Sequence, residues 1–93
     1  MKKWKIAVFN VVVSKQVKKY LQKQDPVTRK RLENALLEMA EDPFTGEVKK
    51  LSGYETLFRK RVGSYRILYD VFQTRMMVDV IKVDSRGNAY KDI

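Results

Sequence analysis

The sequence contains no cysteine and no histidine. The first absence removes disulfides and thiolate chemistry, and it fits a reducing cytosol. The second removes the usual general base, the usual zinc ligand and any serine–histidine triad. Acid–base chemistry therefore falls to Lys, Tyr, Asp, Glu or an activated nucleotide group. No Gly-rich phosphate loop, zinc-ligand spacing or EF-hand pattern is present, so neither a metal nor another cofactor is expected. Long apolar runs are missing too. The stretch 6–13 is interrupted by Asn10 and falls far short of the roughly 20 residues a spanning helix needs. It follows basic residues but precedes no small-x-small cleavage site, so it reads as a strand and not a signal peptide.

What the chain does have is positive charge. Twenty Lys and Arg stand against eleven Asp and Glu, for a net +9 over 93 residues. That length supports one domain, 1–93, with one modest core. A hydrophobic content of 44%, with one Trp, five Tyr and four Phe, argues for a folded chain. The charge excess points to a polyanion: nucleic acid first, an anionic membrane surface second.

Residues 4–13 are rich in β-branched and aromatic side chains and predict a first strand. Ser14 can cap a short basic helix whose apolar stripe holds Val17, Tyr20 and Leu21. Asp25-Pro26 opens a second helix, with Asp as N-cap and Pro at the first helical position. Leu32, Ala35, Leu36, Met39 and Ala40 form its core stripe, and Asp42-Pro43 ends it. The two helices predict a helical hairpin. Residues 44–55, with Gly46 and Gly53, read as a loop carrying Lys49 and Lys50. Residues 76–83 read as a last strand, with Val78, Val80 and Lys82 on one face and Asp79, Ile81 and Val83 on the other. The order β-α-α-β-β-β predicts an α+β fold with helices over one face of a mainly antiparallel sheet.

Residues 57–71, LFRKRVGSYRILYDV, organise the rest. Gly63-Ser64 between two apolar-rich runs is the signature of a type II′ hairpin. A two-residue turn pairs Val62 with Tyr65, Arg61 with Arg66, Lys60 with Ile67 and Arg59 with Leu68. Side chains alternate across a strand, so Arg59, Arg61, Arg66 and Leu68 share one face. Like charges directly opposite cost up to about 1 kcal/mol, and an anionic ligand removes that cost. Taken alone, the same residues also fit a solvated sheet face with long side chains fanning into water.

Three arginines on one face can bind phosphate bidentately and stabilise the charge that develops during strand cleavage. Arginine stays protonated, so it stabilises charge and takes no proton. Arg86 and Tyr90 follow the last strand, within reach of the same surface if that strand pairs beside the hairpin. Guanidinium neighbours would favour the Tyr90 phenolate; spacing alone favours the other reading of Tyr90, an aromatic that packs the C-terminus. In RNA the 2′-hydroxyl is a built-in nucleophile, which leaves orientation, proton removal and charge stabilisation to the protein.

In this order, several segments resemble the RelE/ParE superfamily of toxins from toxin–antitoxin modules. They are the opening strand with Ser14 and a Lys-rich helix, the helix ending in Asp42-Pro43, Lys49-Lys50-Leu51-x-Gly53, the RVGSYRILY hairpin, and Val83-x-x-Arg86-x-x-x-Tyr90. The resemblance runs over nearly the whole chain and implies a microbial-RNase-type fold. The RelE branch implies mRNA cleavage in the ribosomal A site by 2′-hydroxyl attack. The ParE branch implies the same fold acting as a DNA gyrase inhibitor. Arg59 and Arg61 match the basic second-strand positions, where RelE itself has lysines. Arg66 matches the third-strand arginine, and Arg86 with Tyr90 the C-terminal pair.

The resemblance favours the nuclease branch, with a decayed, non-toxic homologue as a further alternative. It implies Arg61 and Arg66 at the transition state and Arg59 and Arg86 on phosphate. Tyr90 would be the acid–base or stacking residue. Lys49, Lys50 and Lys60 would add general RNA attraction. It also implies a cytoplasmic protein whose partners are mRNA on the ribosome and an acidic antitoxin that wraps the basic surface.

Overall fold

The computed structural model describes residues 8–85. Strand β1 is Asn10–Val13, helix α1 Lys15–Gln22 and helix α2 Pro26–Glu41. Strands β2 (Glu47–Lys50), β3 (Leu57–Val62), β4 (Tyr65–Phe72) and β5 (Met77–Ser85) follow. The five strands form one sheet in the order β1-β5-β4-β3-β2. Among the described residues, only the β1–β5 pair is parallel. The fold is the predicted α+β arrangement with one strand more than the sequence showed. Among the described residues, no helix is long and apolar enough to cross a membrane.

The helix ends follow local chemistry. The Ser14 hydroxyl accepts the Val17 N–H at 3.2 Å and donates to the Ile81 carbonyl at 3.1 Å, so one side chain caps α1 and ties it to β5. Asp25 accepts from the Thr28 N–H, and Pro26 opens α2. Arg29 donates to the carbonyls of Leu21, Gln22 and Gln24, satisfying acceptors that α1 leaves open at its C-terminus.

One face of the sheet packs against the helices. Val17, Leu21, Leu32, Ala35, Leu36 and Met39 meet Ile67, Tyr69, Val71, Val78, Val80 and Val83 in a single core. Each fully buried aliphatic side chain contributes about 1.5–3 kcal/mol, so helix stripe and strand alternation together hold the hairpin rigidly by its back. Tyr69 is buried with them, and its hydroxyl donates to the Pro43 carbonyl at 2.6 Å. Burial, reinforced by Asp42, pushes that phenol well above its ordinary value.

Three expectations change. Residues 44–55 are not all loop: Glu47–Lys50 pairs antiparallel with β3 as an edge strand. The first strand is confined to Asn10–Val13; the Val8 and Phe9 N–H groups donate instead to the Ala40 carbonyl, and residues 4–7 lie outside the described residues. In β5 the alternation breaks at Ile81. Leu68 pairs with Lys82 but Tyr69 pairs with Val80, which leaves Ile81 as the extra residue of a bulge. The bulge returns Val83 to the core face and turns Lys82 to the opposite, open face.

Candidate functional site

The open face is built on the β3–β4 hairpin. Gly63 has φ +61°, whereas Ser64 is not among the positive-φ residues, as a type II′ turn requires. The turn sets the expected register: Val62 with Tyr65, Arg61 with Arg66, Lys60 with Ile67 and Arg59 with Leu68. The neighbouring strands extend these pairs into two rows across the sheet. One row runs Glu47, Arg61, Arg66, Asp84; the next runs Lys49, Arg59, Leu68, Lys82. Adjacent members of a row stand one strand apart, about 4.8 Å. Five cations and two carboxylates thus share a patch two rows deep and four strands wide.

Their surroundings differ. Arg61 is exposed and reaches the Glu47 carboxylate at 3.2 Å. An exposed pair of that kind contributes about 0–1 kcal/mol, so a phosphate can displace Glu47 at little cost. Arg66 is more enclosed: its Nε is buried and, among the described residues, has no hydrogen-bond partner. A desolvated donor without an acceptor is costly, by about 1–3 kcal/mol or more for a charged group, so this arginine is held at a cost to the fold. Asp84 stands opposite Arg66 in register but forms no ion pair with it among the described residues. Its Oδ1 accepts from the Ser85 N–H at 2.8 Å. Burial first, then the Asp84 charge and Tyr65, hold the Tyr20 phenol above its ordinary value.

The structure brings Arg59, Arg61, Arg66 and Lys49 together on this face. It separates two others. Lys60 points to the helix side, 3% exposed, and donates to Glu38 Oε1 at 3.3 Å and the Thr45 carbonyl at 2.5 Å. That position removes it from the RNA-facing set: it is a core-side cation held by α2 and the loop before β2. Lys50 pairs with Phe58 and so belongs to the helix side of the edge strand. Arg86 and Tyr90 lie outside the described residues. Lys82 joins the open face beside Leu68, a placement that simple alternation does not predict. Its only sequence signal is that simple alternation would bury a lysine beside Val80.

The guanidinium groups cannot accept a proton. The arrangement can grip a phosphodiester and stabilise extra negative charge on it, and it suits an extended anionic strand better than a compact ligand.

A fold of two helices on a five-stranded sheet is shared with known proteins over most of the chain. The profile for "ParE toxin of type II toxin-antitoxin system, parDE" matches residues 11–90. The chain belongs to the ParE toxin family. A Methanocaldococcus jannaschii protein named as a candidate toxin, RelE1, is 29% identical over 87 residues, covering 90% of this chain and 97% of that one. Among solved structures, the RelE–RelB complex of Pyrococcus horikoshii OT3 is similar with a TM-score of 0.77 at 29% identity, over 88% of this chain and 99% of that chain. The intact RelBE toxin–antitoxin complex of E. coli is similar with a TM-score of 0.70 at 25% identity, over 83% and 95% of the two chains. This ParE-family chain is therefore RelE-like in fold along nearly all of its length.

Proposed function

We propose that the protein is a RelE-like toxin that cuts mRNA in the ribosomal A site. The observation that carries this reading is the directly opposed Arg61–Arg66 pair on the open face of the sheet. In the proposed step the 2′-oxygen of one nucleotide attacks the adjacent phosphorus. The P–O5′ bond breaks, the 2′-hydroxyl loses its proton and the departing 5′-oxygen gains one. The products are a 2′,3′-cyclic phosphate and a 5′-hydroxyl end. Arg66 and Arg61 stabilise the charge on the phosphorane, and Arg59, Lys49 and Lys82 hold flanking phosphates. Arg86 is assigned to phosphate and Tyr90 to proton transfer, both by resemblance. The partner is an acidic antitoxin segment, as the RelB complexes of its structural relatives suggest. An mRNA target on the ribosome implies action in the cytoplasm.

The ParE family match supports a second reading, in which the same surface binds DNA gyrase and performs no chemistry. Induction without antitoxin arrests growth under both readings. Primer extension on cellular mRNA separates them. Ribosome-dependent cuts that vanish in Arg66→Ala support the nuclease; arrest without cuts, persisting in Arg66→Ala, supports gyrase inhibition.

A further inference from the structure

The open face carries a second feature that the arginine rows do not use. Beyond β2 the chain turns at Gly53, φ +85°, and folds back under three backbone bonds. Leu51 N–H donates to the Leu57 carbonyl, Tyr54 N–H to the Leu51 carbonyl and Val71 N–H to the Thr56 carbonyl. These bonds hold Tyr54, 44% exposed, over one end of the open face. Beneath it lies a cavity of about 300 Å³ lined by Tyr54, Thr56, Leu57, Leu68, Asp70 and Ile81. Leu57 and Leu68 are 6% and 1% exposed although they face away from the helices. The cavity thus has an apolar floor and an aromatic wall on the side of the sheet that the main core does not cover.

We infer that this cavity is a nucleobase subsite, which seats one base of the RNA strand whose phosphates lie on the neighbouring cation row. The inference rests on the nuclease reading above and names how that site recognises its substrate. Three observations specify the occupant. First, Leu68 is both the cavity floor and the middle of the row Lys49, Arg59, Leu68, Lys82. Leu57 lies two residues from Arg59 on β3, about 7 Å along the strand, so phosphate row and cavity are within the reach of a single nucleotide. Second, an apolar floor with an exposed aromatic beside a basic track is the arrangement that binds single-stranded RNA: bases stack while cations hold the backbone. Third, the rim is acidic. Asp70 faces Asp79 across β4 and β5, and Glu55 also lines the cavity.

That rim repels a carboxylate or a phosphate, so the acidic antitoxin is a poor occupant. It suits a group that donates hydrogen bonds from the end of an anionic chain, as an amino-bearing base does. Thr56 Oγ1 donates to Asp70 Oδ1 at 2.9 Å, which orients the carboxylate and leaves its other oxygen to accept. An Asp carboxylate accepts from exocyclic amino groups such as cytosine N4. Adenine, cytosine and guanine carry such groups and uracil does not. The subsite therefore selects an amino-bearing base over uracil at one position of the bound strand.

The test uses ribosomes programmed with mRNAs whose A-site codons run all four bases through each position, with single-turnover cleavage rates measured for each. At one codon position the wild-type protein should cut amino-bearing bases at least five-fold faster than uracil. Tyr54→Ala should reduce the favoured rates by five-fold or more and compress the differences to within two-fold. Tyr54→Phe, which keeps the ring, should retain the pattern, and Asp70→Asn should lose the discrimination against uracil. Circular dichroism melts confirm that each variant is folded. Wild-type rates equal for uracil and the other bases at every position would overturn the inference and leave the nuclease reading intact. Unchanged codon rates in Tyr54→Ala, together with weaker capture of a co-expressed antitoxin, would assign the cavity to protein and overturn it too. Absence of wild-type cleavage on every codon would overturn the nuclease reading and this inference together.

Discussion

Arg61 and Arg66 stand directly opposite each other on the open face of the sheet, and only Arg61 has a carboxylate within ion-pairing distance among the described residues. A fold gains nothing from that juxtaposition. Like charges opposite one another cost a few tenths to about 1 kcal/mol. Arg66→Ala should therefore leave the melting temperature unchanged or raise it, while cleavage on programmed ribosomes falls by about 10²-fold or more. Thermal melts and single-turnover rates on the same preparations check both halves. A residue that matters only for folding would move them together.

Asp84 faces Arg66 across β4 and β5. Asp84→Asn removes a negative charge from the arginine row and should tighten single-stranded RNA binding and steepen its salt dependence. It should also lower the Tyr20 phenol, which Asp84 helps to hold up, though burial keeps that phenol above its ordinary value. The sign follows from linkage: a phenol raised in the folded state contributes stability below its unfolded pKa, and that contribution is lost as pH rises through the folded one. The variant should thus lose that contribution at lower alkaline pH than wild type. Ultraviolet titration of the tyrosines and salt-dependent anisotropy give the two readouts.

Lys60 lies on the helix side, bonded to Glu38 and the Thr45 carbonyl. Lys60→Ala should cost about 2–4 kcal/mol, because it opens a cavity and strands a carbonyl. Lys60→Met should recover more than half of that by filling the volume without a buried charge. RNA affinity per folded molecule should not change in either. Urea denaturation and RNA titrations at matched folded concentration distinguish this from a nucleic-acid contact.

The Asp25 cap makes the start of α2 sensitive to acid. Its hydrogen bonds from Thr28, side chain first, hold the carboxyl below the usual carboxylate value. A depressed carboxyl contributes stability above its unfolded pKa, near 3.8, and loses it as pH falls through the lower folded value. Asp25→Ala should melt at lower temperature than wild type at neutral pH, with the gap closing below that range. Asp25→Asn, which still caps, should melt near wild type with a flatter acid limb.

The hairpin was legible in the sequence because a two-residue Gly-Ser turn permits only one register. The helices were legible because their apolar stripes and aspartate–proline boundaries agree. β2 was hidden: EVKK offers one apolar residue, Val48, which packs half-buried against the core between exposed neighbours, and a single apolar position gives no alternation to read. The bulge at Ile81 was hidden for a different reason. One inserted residue reverses the side-chain phase downstream, and alternation rules assume that the phase is kept. That reversal moved Lys82 onto the arginine face and Val83 into the core. Lys49 and Lys50 read as a pair, yet pairing with β3 sends them to opposite faces.

On the proposed reading the Arg61–Arg66 face performs phosphodiester cleavage and does not merely hold a polyanion. End-group analysis of mRNA cut on programmed ribosomes by the purified protein tests it most directly. Wild-type protein should give an upstream fragment ending in a 2′,3′-cyclic phosphate and a downstream fragment beginning with a 5′-hydroxyl, and Arg66→Ala should give neither. Intact mRNA in the presence of a protein that still arrests growth, or equal cleavage by wild type and Arg66→Ala, would contradict it.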